Sequence, residues 1–173
     1  EWYVSGPYLQ KDKSGQDLMD VPFPPEDVKA KGVLWREPAP PADPAMAWAV
    51  DLSSTRAVAG DMRAAYLRTR VYSPTAQPAR LEVGSDDGIK VWLNGKVVHA
   101  NNAARGIKPG EDVLKVALQK GENDLLLKIT NGVGGWGAAV KVAGAAPAAP
   151  AAPAAPATPV TPAKPGEAPK PVA

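Results

Sequence analysis

The feature that most constrains this chain is the pair Asn94 and Gly95, which stands between two runs of apolar residues. Asn and Gly tolerate the positive φ angles that a type I′ turn requires, so the pair is a strong local signal for a β-hairpin. The run before the pair places Lys90 and Trp92 on one face and three apolar residues on the other: Ile89, Val91 and Leu93. The pattern therefore predicts antiparallel β-structure.

The rest of the body repeats this pattern of short strands separated by turn residues. Further strands are predicted at residues 2–4, 46–52, 64–73, 79–83, 113–118, 124–130 and 138–142. Roughly eight strands at spacings of 8 to 12 residues are typical of an all-β, antiparallel two-sheet jelly-roll sandwich. We expect residues 1–142 to form this domain. Residues 9–45 are predicted to be an irregular wrap around it, pinned by Phe23 and Trp35.

Polar residues on the predicted strands indicate solvated sheet surfaces. At residues 64–73, Tyr66 and Arg68 alternate with Leu67 and Thr69, which predicts one face in water. Lysines spread along the strands predict a solvated face that discourages edge pairing, and they are Lys90, Lys96, Lys108, Lys115 and Lys128.

Residues 143–173 differ sharply in composition and are almost entirely Ala, Pro, Thr, Val, Lys and Gly. Prolines recur at every third position from Pro147 to Pro165, which aligns them on one edge of a polyproline-II-like tail. Residues 147–173 would span on the order of 80 Å in that form. Two interpretations remain open for this tail, a solvated spacer and a strand that docks in an aromatic groove of another subunit.

Charge and composition restrict the classes of partner and cofactor. The net charge of +2 comes from interspersed acids and bases, which argues against a nucleic-acid partner. The absence of cysteine excludes disulfides, cysteine-based zinc sites and thiol catalysis. No run of apolar residues is long enough for a membrane span. The first residue is Glu1 rather than Met, which is in keeping with a removed signal peptide and a secreted or cell-surface protein.

Several motifs along residues 79–136 carry a family resemblance. They are Gly84-Ser85-Asp86-Asp87-Gly88, Val91-Trp92-Leu93-Asn94-Gly95-Lys96, Pro109-Gly110-Glu111-Asp112, Leu118-Gln119-Lys120-Gly121-Glu122-Asn123 and Gly134-Gly135-Trp136-Gly137. With them the chain resembles a galactose-binding-like jelly-roll module of planctomycete-type secreted proteins. That module is related to the sugar-binding domain of β-galactosidase-type glycoside hydrolases. The resemblance implies the fold and a binding or architectural role. Ala138 stands where the family usually has an aromatic residue.

The candidate ligand-binding residues lie in the loops of the predicted sandwich. Trp136 is flanked by glycines that would leave its indole little cover, so that a sugar ring is able to stack on it. Polar partners for a glycan would be Asn131, Asn101, Asn102, Arg105 and His99. His99 is alternatively an exposed residue at a strand end, and Arg105 is alternatively a donor to loop carbonyls.

Asp86 and Asp87 are candidate ligands of a calcium ion, which the resemblance to protective-antigen-type lectin modules implies. Calcium takes six to eight oxygens, so Asn94, Asn131 and backbone carbonyls would have to complete the set. The alternative is a plain turn, in which the two carboxylates accept backbone N–H bonds. Calcium is the only cofactor that the sequence suggests.

Two functions are compatible with these expectations. The first is a non-catalytic extracellular carbohydrate-binding-like or accessory module, whose partner is a glycan. The second is a structural subunit of a filament or surface layer, whose tail docks on a neighbouring subunit and builds a homo-oligomer. No paired carboxylates stand out in the sequence as a glycosidase site, so an enzyme is not predicted.

Overall fold

The computed structural model describes residues 1–144. These residues form nine strands and three short 3₁₀ helices, the latter at Gln16–Asp20, Pro24–Glu26 and Pro44–Met46. The strands are β1 (Tyr3–Tyr8), β2 (Val50–Asp51), β3 (Arg63–Ser73), β4 (Gln77–Asp86), β5 (Gly88–Leu93), β6 (Lys96–Asn101), β7 (Asp112–Leu118), β8 (Gly121–Asn131) and β9 (Gly137–Ala143).

The strands lie in two antiparallel sheets, ordered β1-β3-β8-β5-β6 and β2-β9-β4-β7. From β3 to β9 the chain crosses to the other sheet at every connection except the β5–β6 hairpin. Crossing of this kind is typical of jelly-roll sandwiches. The predicted all-β two-sheet sandwich is confirmed.

The core fills the space between the two sheets. Leu67 and Leu127 of the five-stranded sheet and Leu81 and Val83 of the four-stranded sheet are fully buried in one cluster. Alternating apolar residues of facing sheets build such a layer, because every second side chain of each strand points inward.

The β5–β6 hairpin turns at Asn94 and Gly95, as predicted. Both residues have positive φ, 50° for Asn94 and 77° for Gly95. The side chain of Asn94 also bridges to β8, donating to Asn123 Oδ1 at 2.9 Å and accepting the N–H of Asp124 at 2.9 Å.

The prediction of a strand at residues 46–52 is wrong for most of its length. Pro44–Met46 is a 3₁₀ helix, and only Val50–Asp51 pairs with β9. The helix begins where the side chain of Asp43 accepts the N–H of Ala45 at 2.9 Å, and a proline follows Asp43. These local bonds compete with a sheet ladder.

The wrap before β3 covers the outer face of the five-stranded sheet. Phe23 and Trp35 pack there against a second apolar cluster of Tyr66, Trp92 and Leu126, so the prediction that they pin the wrap is confirmed. The expectation that the Tyr66 face of β3 lies in water is wrong for Tyr66 itself, which is fully buried.

Lys128 was predicted on a solvated face, and that prediction is wrong. It is 0% exposed on the central strand β8. Its ammonium donates to the carbonyls of Met19 and Val21 at 3.0 and 2.5 Å and to Glu26 Oε1 at 2.9 Å. Burial lowers the pKa of the Lys128 ammonium. The wrap is thus joined to the sheet by a buried ion pair.

The sandwich has two opposite ends with different loops. At the rim end β4 stops at Asp86, which pairs with Gly137, and β8 stops at Asn131, which pairs with Arg63. At the hairpin end lie the Asn94–Gly95 turn and the pairing of Ser73 with Gly121.

The chain leaves the sandwich at the hairpin end. Ala143 pairs with Arg80 near the start of β4, and a Cβ at Gly144 would lie 3.4 Å from the carbonyl oxygen of Pro78. The predicted tail at residues 143–173 lies outside the described residues from Ala145 on, so its two interpretations stay predictions. No helix within residues 1–144 has the length and apolarity of a membrane span.

Candidate functional site at the rim

The rim end brings together the β4–β5 connection and the β8–β9 loop. Asp86 ends β4, Asp87 links it to β5, and the peptide bond between the two aspartates is cis. The glycine-rich residues 132–135 follow β8, and all of them are at least partly exposed. A Cβ at Gly135 would lie 3.9 Å from Asp86 Oδ2, so the glycine leaves open space beside that carboxylate.

The carboxylate of Asp87 is held in place by backbone donors from two loops. Its Oδ2 accepts the N–H of Gly132 at 2.7 Å, and its Oδ1 accepts the N–H of Arg105 at 3.2 Å. The N–H of Asp87 donates to the carbonyl of Thr130 at 3.1 Å. The turn interpretation thus describes Asp87 well, and the side chain also ties the loops of the rim together.

Asp86 lies beside Asp87 but has different surroundings. Its side chain is partly buried, and within residues 1–144 no hydrogen bond or ion pair engages the carboxylate. Burial, together with the neighbouring charge of Asp87, raises the pKa of Asp86 to about 6. An ionised Asp86 is therefore a negative charge that lacks compensation.

Asn131 ends β8 at the rim and is fully buried. Its Nδ2 donates to the carbonyl of Gly60 at 2.8 Å, while Oδ1 has no partner within residues 1–144. A buried amide oxygen without a donor is costly and calls for an explanation. Asn131 directly precedes Gly132, whose N–H holds Asp87.

Trp136 is not the exposed stacking surface that its glycine neighbours suggested. It is 3% exposed and belongs to the core between the sheets. Its backbone N–H donates to Ser53 Oγ at 3.0 Å, and its carbonyl accepts the backbone N–H of Leu52 at 3.0 Å. The segment around β2 thus covers the residue, which the local sequence did not reveal.

Three other predicted residues converge on Asp112, which the sequence reasoning did not select. Its carboxylate lies 3.0 Å from His99 Nε2 and accepts from Asn101 Nδ2 at 3.3 Å. Arg105 grips it with two nitrogens, at 3.3 and 2.6 Å. These bonds, led by that of Arg105, lower the pKa of Asp112 to about 2.

Arg105 also reaches the rim, since its guanidinium donates to Ser85 Oγ at 2.9 Å. Asn101, His99 and Arg105 therefore direct their polar groups into an internal clamp, and we name this set with Asp112 the Asp112 clamp. Asn102 is separate from it and exposed, and its Nδ2 donates to the carbonyl of Gln16 at 3.1 Å. The sequence contained a signal for the clamp in Asp112 itself, an acidic residue that follows Gly110 and Glu111 at the start of β7.

The rim carries oxygen donors, which are the type of ligand that a hard cation such as calcium prefers. Asp86 offers a carboxylate without a partner, Asp87 offers free lone pairs beside it, and Asn131 Oδ1 is orphaned. No group of three or more His, Cys, Asp or Glu side chains in residues 1–144 has the geometry of a metal site, so neutral oxygens must complete the shell. Asn94, the other predicted helper, lies at the opposite end and bonds to Asn123.

Known proteins resemble this chain only distantly. No protein-family model matches the chain, and the search of curated proteins finds no match. Among solved structures, the PA14 domain of the MpAFP antifreeze protein is similar at 16% identity and a TM-score of 0.40, over 47% of this chain and 43% of that one. An anti-sigma factor domain-containing protein is similar at 13% identity and a TM-score of 0.49, over 64% of this chain and 37% of that one.

A family 35 carbohydrate binding module from Clostridium thermocellum is similar at 16% identity and a TM-score of 0.34. That match covers 46% of this chain and 69% of the module. This chain covers less than half the length of the PA14 domain structure and of the anti-sigma factor domain-containing protein. The function is therefore argued from the residues of the rim.

Proposed function

We propose that this chain is a non-catalytic, extracellular carbohydrate-binding module, and that its glycan site is the rim end of the sandwich. A calcium ion held by Asp86, Asp87 and Asn131 is part of that site. Calcium takes oxygen ligands in a flexible shell, and hydroxyl groups of a sugar are able to replace its waters.

The observation that carries the proposal is the orphaned Oδ1 of buried Asn131, close in sequence to the residue that anchors Asp87. A bound cation gives this oxygen the partner that it lacks. The same cation neutralises Asp86, whose raised pKa reports an uncompensated negative charge. One ion thus relieves two unfavourable features of the rim.

The glycine-rich residues 132–135 leave the proposed calcium and glycan site open to a ligand. Glycines without side chains let a ligand approach the backbone closely. Asn102, exposed next to the rim, is a polar contact for the glycan, whereas Trp136 and the Asp112 clamp support the loops from below. We assign the stacking on a sugar ring, which was expected of Trp136, to no other residue of the rim.

The test is binding of the purified full chain to a glycan array with calcium and with a chelator. We expect calcium-dependent binding that Asp86→Asn and Asp87→Asn abolish. Calcium should raise the thermal unfolding midpoint of the wild-type chain and leave that of Asp86→Asn unchanged, because the cation binds only the folded state.

A matched control is Asp12→Asn. Asp12 is exposed in the wrap with a φ of 61°, which Asn tolerates, so this variant removes one acid elsewhere on the surface. It should bind calcium and glycan as the wild type does. An unchanged unfolding midpoint of the wild type at millimolar calcium would contradict the metal site, and binding of no glycan under any condition would contradict the module.

A further inference from the structure

A groove on the outer face of the five-stranded sheet stands apart from the rim. It runs between the wrap and the sheet, and its floor is Trp92 and Leu126. Trp35 forms one wall, and the guanidinium of Arg68 lies 5.9 Å from the centroid of its ring. Arg68 is in turn paired with Asp124 at 2.7 Å. The groove thus combines two indoles with a charged edge.

The groove opens toward the hairpin end of the sandwich. Gly95 of the hairpin turn and Asp124 near the start of β8 both line it. Gly144, where the chain leaves the sandwich, lies at this same end beside Pro78. Because packed sheets are only about 10 Å apart, the path from Gly144 around the sandwich to the groove is short.

The segment that follows Gly144 has the chemistry that such a groove accepts. Prolines stand at every third position from Pro147 to Pro165, a spacing that would align them on one edge of a polyproline II helix. Ligands of this form dock their proline edge in aromatic-lined grooves at a small entropic cost. Ten residues in this form would span roughly 30 Å, which is enough for the first prolines to reach the groove, with the remainder beyond it.

We propose that residues 147–156 dock their proline edge in the Trp35–Trp92 groove of their own chain. Attachment through Gly144 favours the chain's own groove over that of a second copy, because a short linker gives a high effective concentration. The charges agree with this placement. Glu26, Asp27 and Asp124 line the groove, whereas residues 147–156 carry no charge and the first charged residue after them is Lys164, so no like charge opposes docking. Docking there leaves the rim at the opposite end uncovered.

The test uses a single spin label on the full chain. The sequence has no cysteine, so Ala152→Cys gives one labelling site between Pro150 and Pro153, off the proline edge. Each of the five Trp residues contributes one indole N–H signal to a nitrogen-15 NMR spectrum. We expect the label to remove the signals of Trp35 and Trp92 and to spare that of Trp136, which lies at the rim end.

Two further samples decide between the alternatives. In the first, Pro150, Pro153 and Pro156 are replaced by Ser with the label kept in place, and the signals of Trp35 and Trp92 should return. In the second, isotope-labelled chain without the spin label is mixed with spin-labelled chain of natural isotope content, and all five signals should persist. Loss of the Trp35 signal in this mixture would overturn docking on the same chain and assign the groove to a second copy.

Equal attenuation of all five indole signals would also overturn the proposal, as would no attenuation of Trp35. The substitutions all lie outside the sandwich, so a negative result does not come from an unfolded domain. The outcome is independent of the calcium and glycan experiments, because the groove and the rim share no residue.

Discussion

Two aspartates, Asp86 at the rim and Asp112 in the clamp, have pKa values shifted in opposite directions. Asp86 has a raised pKa because it is partly buried beside another carboxylate, whereas Asp112 has a lowered pKa because Arg105 and His99 surround it. Ionised Asp86 therefore destabilises the fold in the absence of a cation, and ionised Asp112 stabilises it. Asp86 thus belongs to the proposed cation site, whereas Asp112 stabilises the loops beside it.

Replacing Asp86 with Asn should stabilise the cation-free chain in a pH-dependent way. The pKa of Asp86 is about 6 in the fold and near its ordinary value of 3.8 when unfolded, so the folded state binds the proton more tightly. Wild-type stability is thus lost as the pH rises from about 4 to about 6. The advantage of Asp86→Asn should grow across this window and then level off. Chemical denaturation in chelator at several pH values measures it, and a constant difference would contradict the assignment.

Replacing Asp112 with Asn should destabilise the chain at neutral pH. The change leaves the guanidinium of Arg105 without its main partner, at a cost of about 2 kcal/mol for a partly buried charge. Urea denaturation measures the loss. Glu122→Gln is the control, because its pair with Arg70 is exposed and should contribute less than about 1 kcal/mol. Equal losses for both variants would contradict the clamp.

At the scale of elements, the wrap is attached to the sheet through Lys128. The ammonium satisfies two wrap carbonyls and Glu26, and it lies 5.1 Å from the centroid of Phe23. Glu26 also accepts a hydrogen bond from Tyr66, and both burial and this contact raise the pKa of the phenol. The wrap therefore behaves as part of the folded domain.

Glu26→Gln should destabilise the chain by about 3 kcal/mol, because it leaves the buried ammonium of Lys128 without a counter-charge. Lys128→Met in the same background should recover part of this loss, since it removes the unpaired charge. A double-mutant cycle by chemical denaturation measures the coupling. Glu37→Gln, at an exposed position of the wrap, should have no effect. Strictly additive losses in the cycle would contradict the ion pair.

Local signals predicted the hairpin but not the covered face. Asn94 and Gly95 determine their turn through their own backbone preferences, so the sequence sufficed. Alternation in β3 and β8 is the same whether water or the wrap covers the outer face, so the burial of Tyr66 and Lys128 was not predictable. Trp136 is similar, because the segment around β2 that covers it is distant in sequence. Asp112 was missed because its partners come from β6 and the loop after it.

At the scale of the whole molecule, the sandwich places its two candidate binding surfaces at different ends. β9 begins beside Asp86 and ends beside the start of β4, so the chain crosses the full sheet before it leaves. Residues 1–144 form a two-sheet sandwich with a core of buried residues between its sheets.

A chain that stops after Gly144 should therefore fold on its own. We expect an unchanged β-type circular dichroism spectrum and one cooperative unfolding transition, since the residues that remain hold the described core and both sheets. The Trp35 indole signal should shift if the docked prolines are lost. Loss of cooperative unfolding would contradict a domain boundary near residue 142.

The path of β9 has a mechanical consequence. This strand lies between β2 and β4. It begins at the rim end with Gly137 and ends at the hairpin end with Ala143. Tension between a glycan gripped at one end and an anchor attached beyond the other would run parallel to the strands. Such a load would shear the whole β9–β4 ladder at once instead of opening it bond by bond.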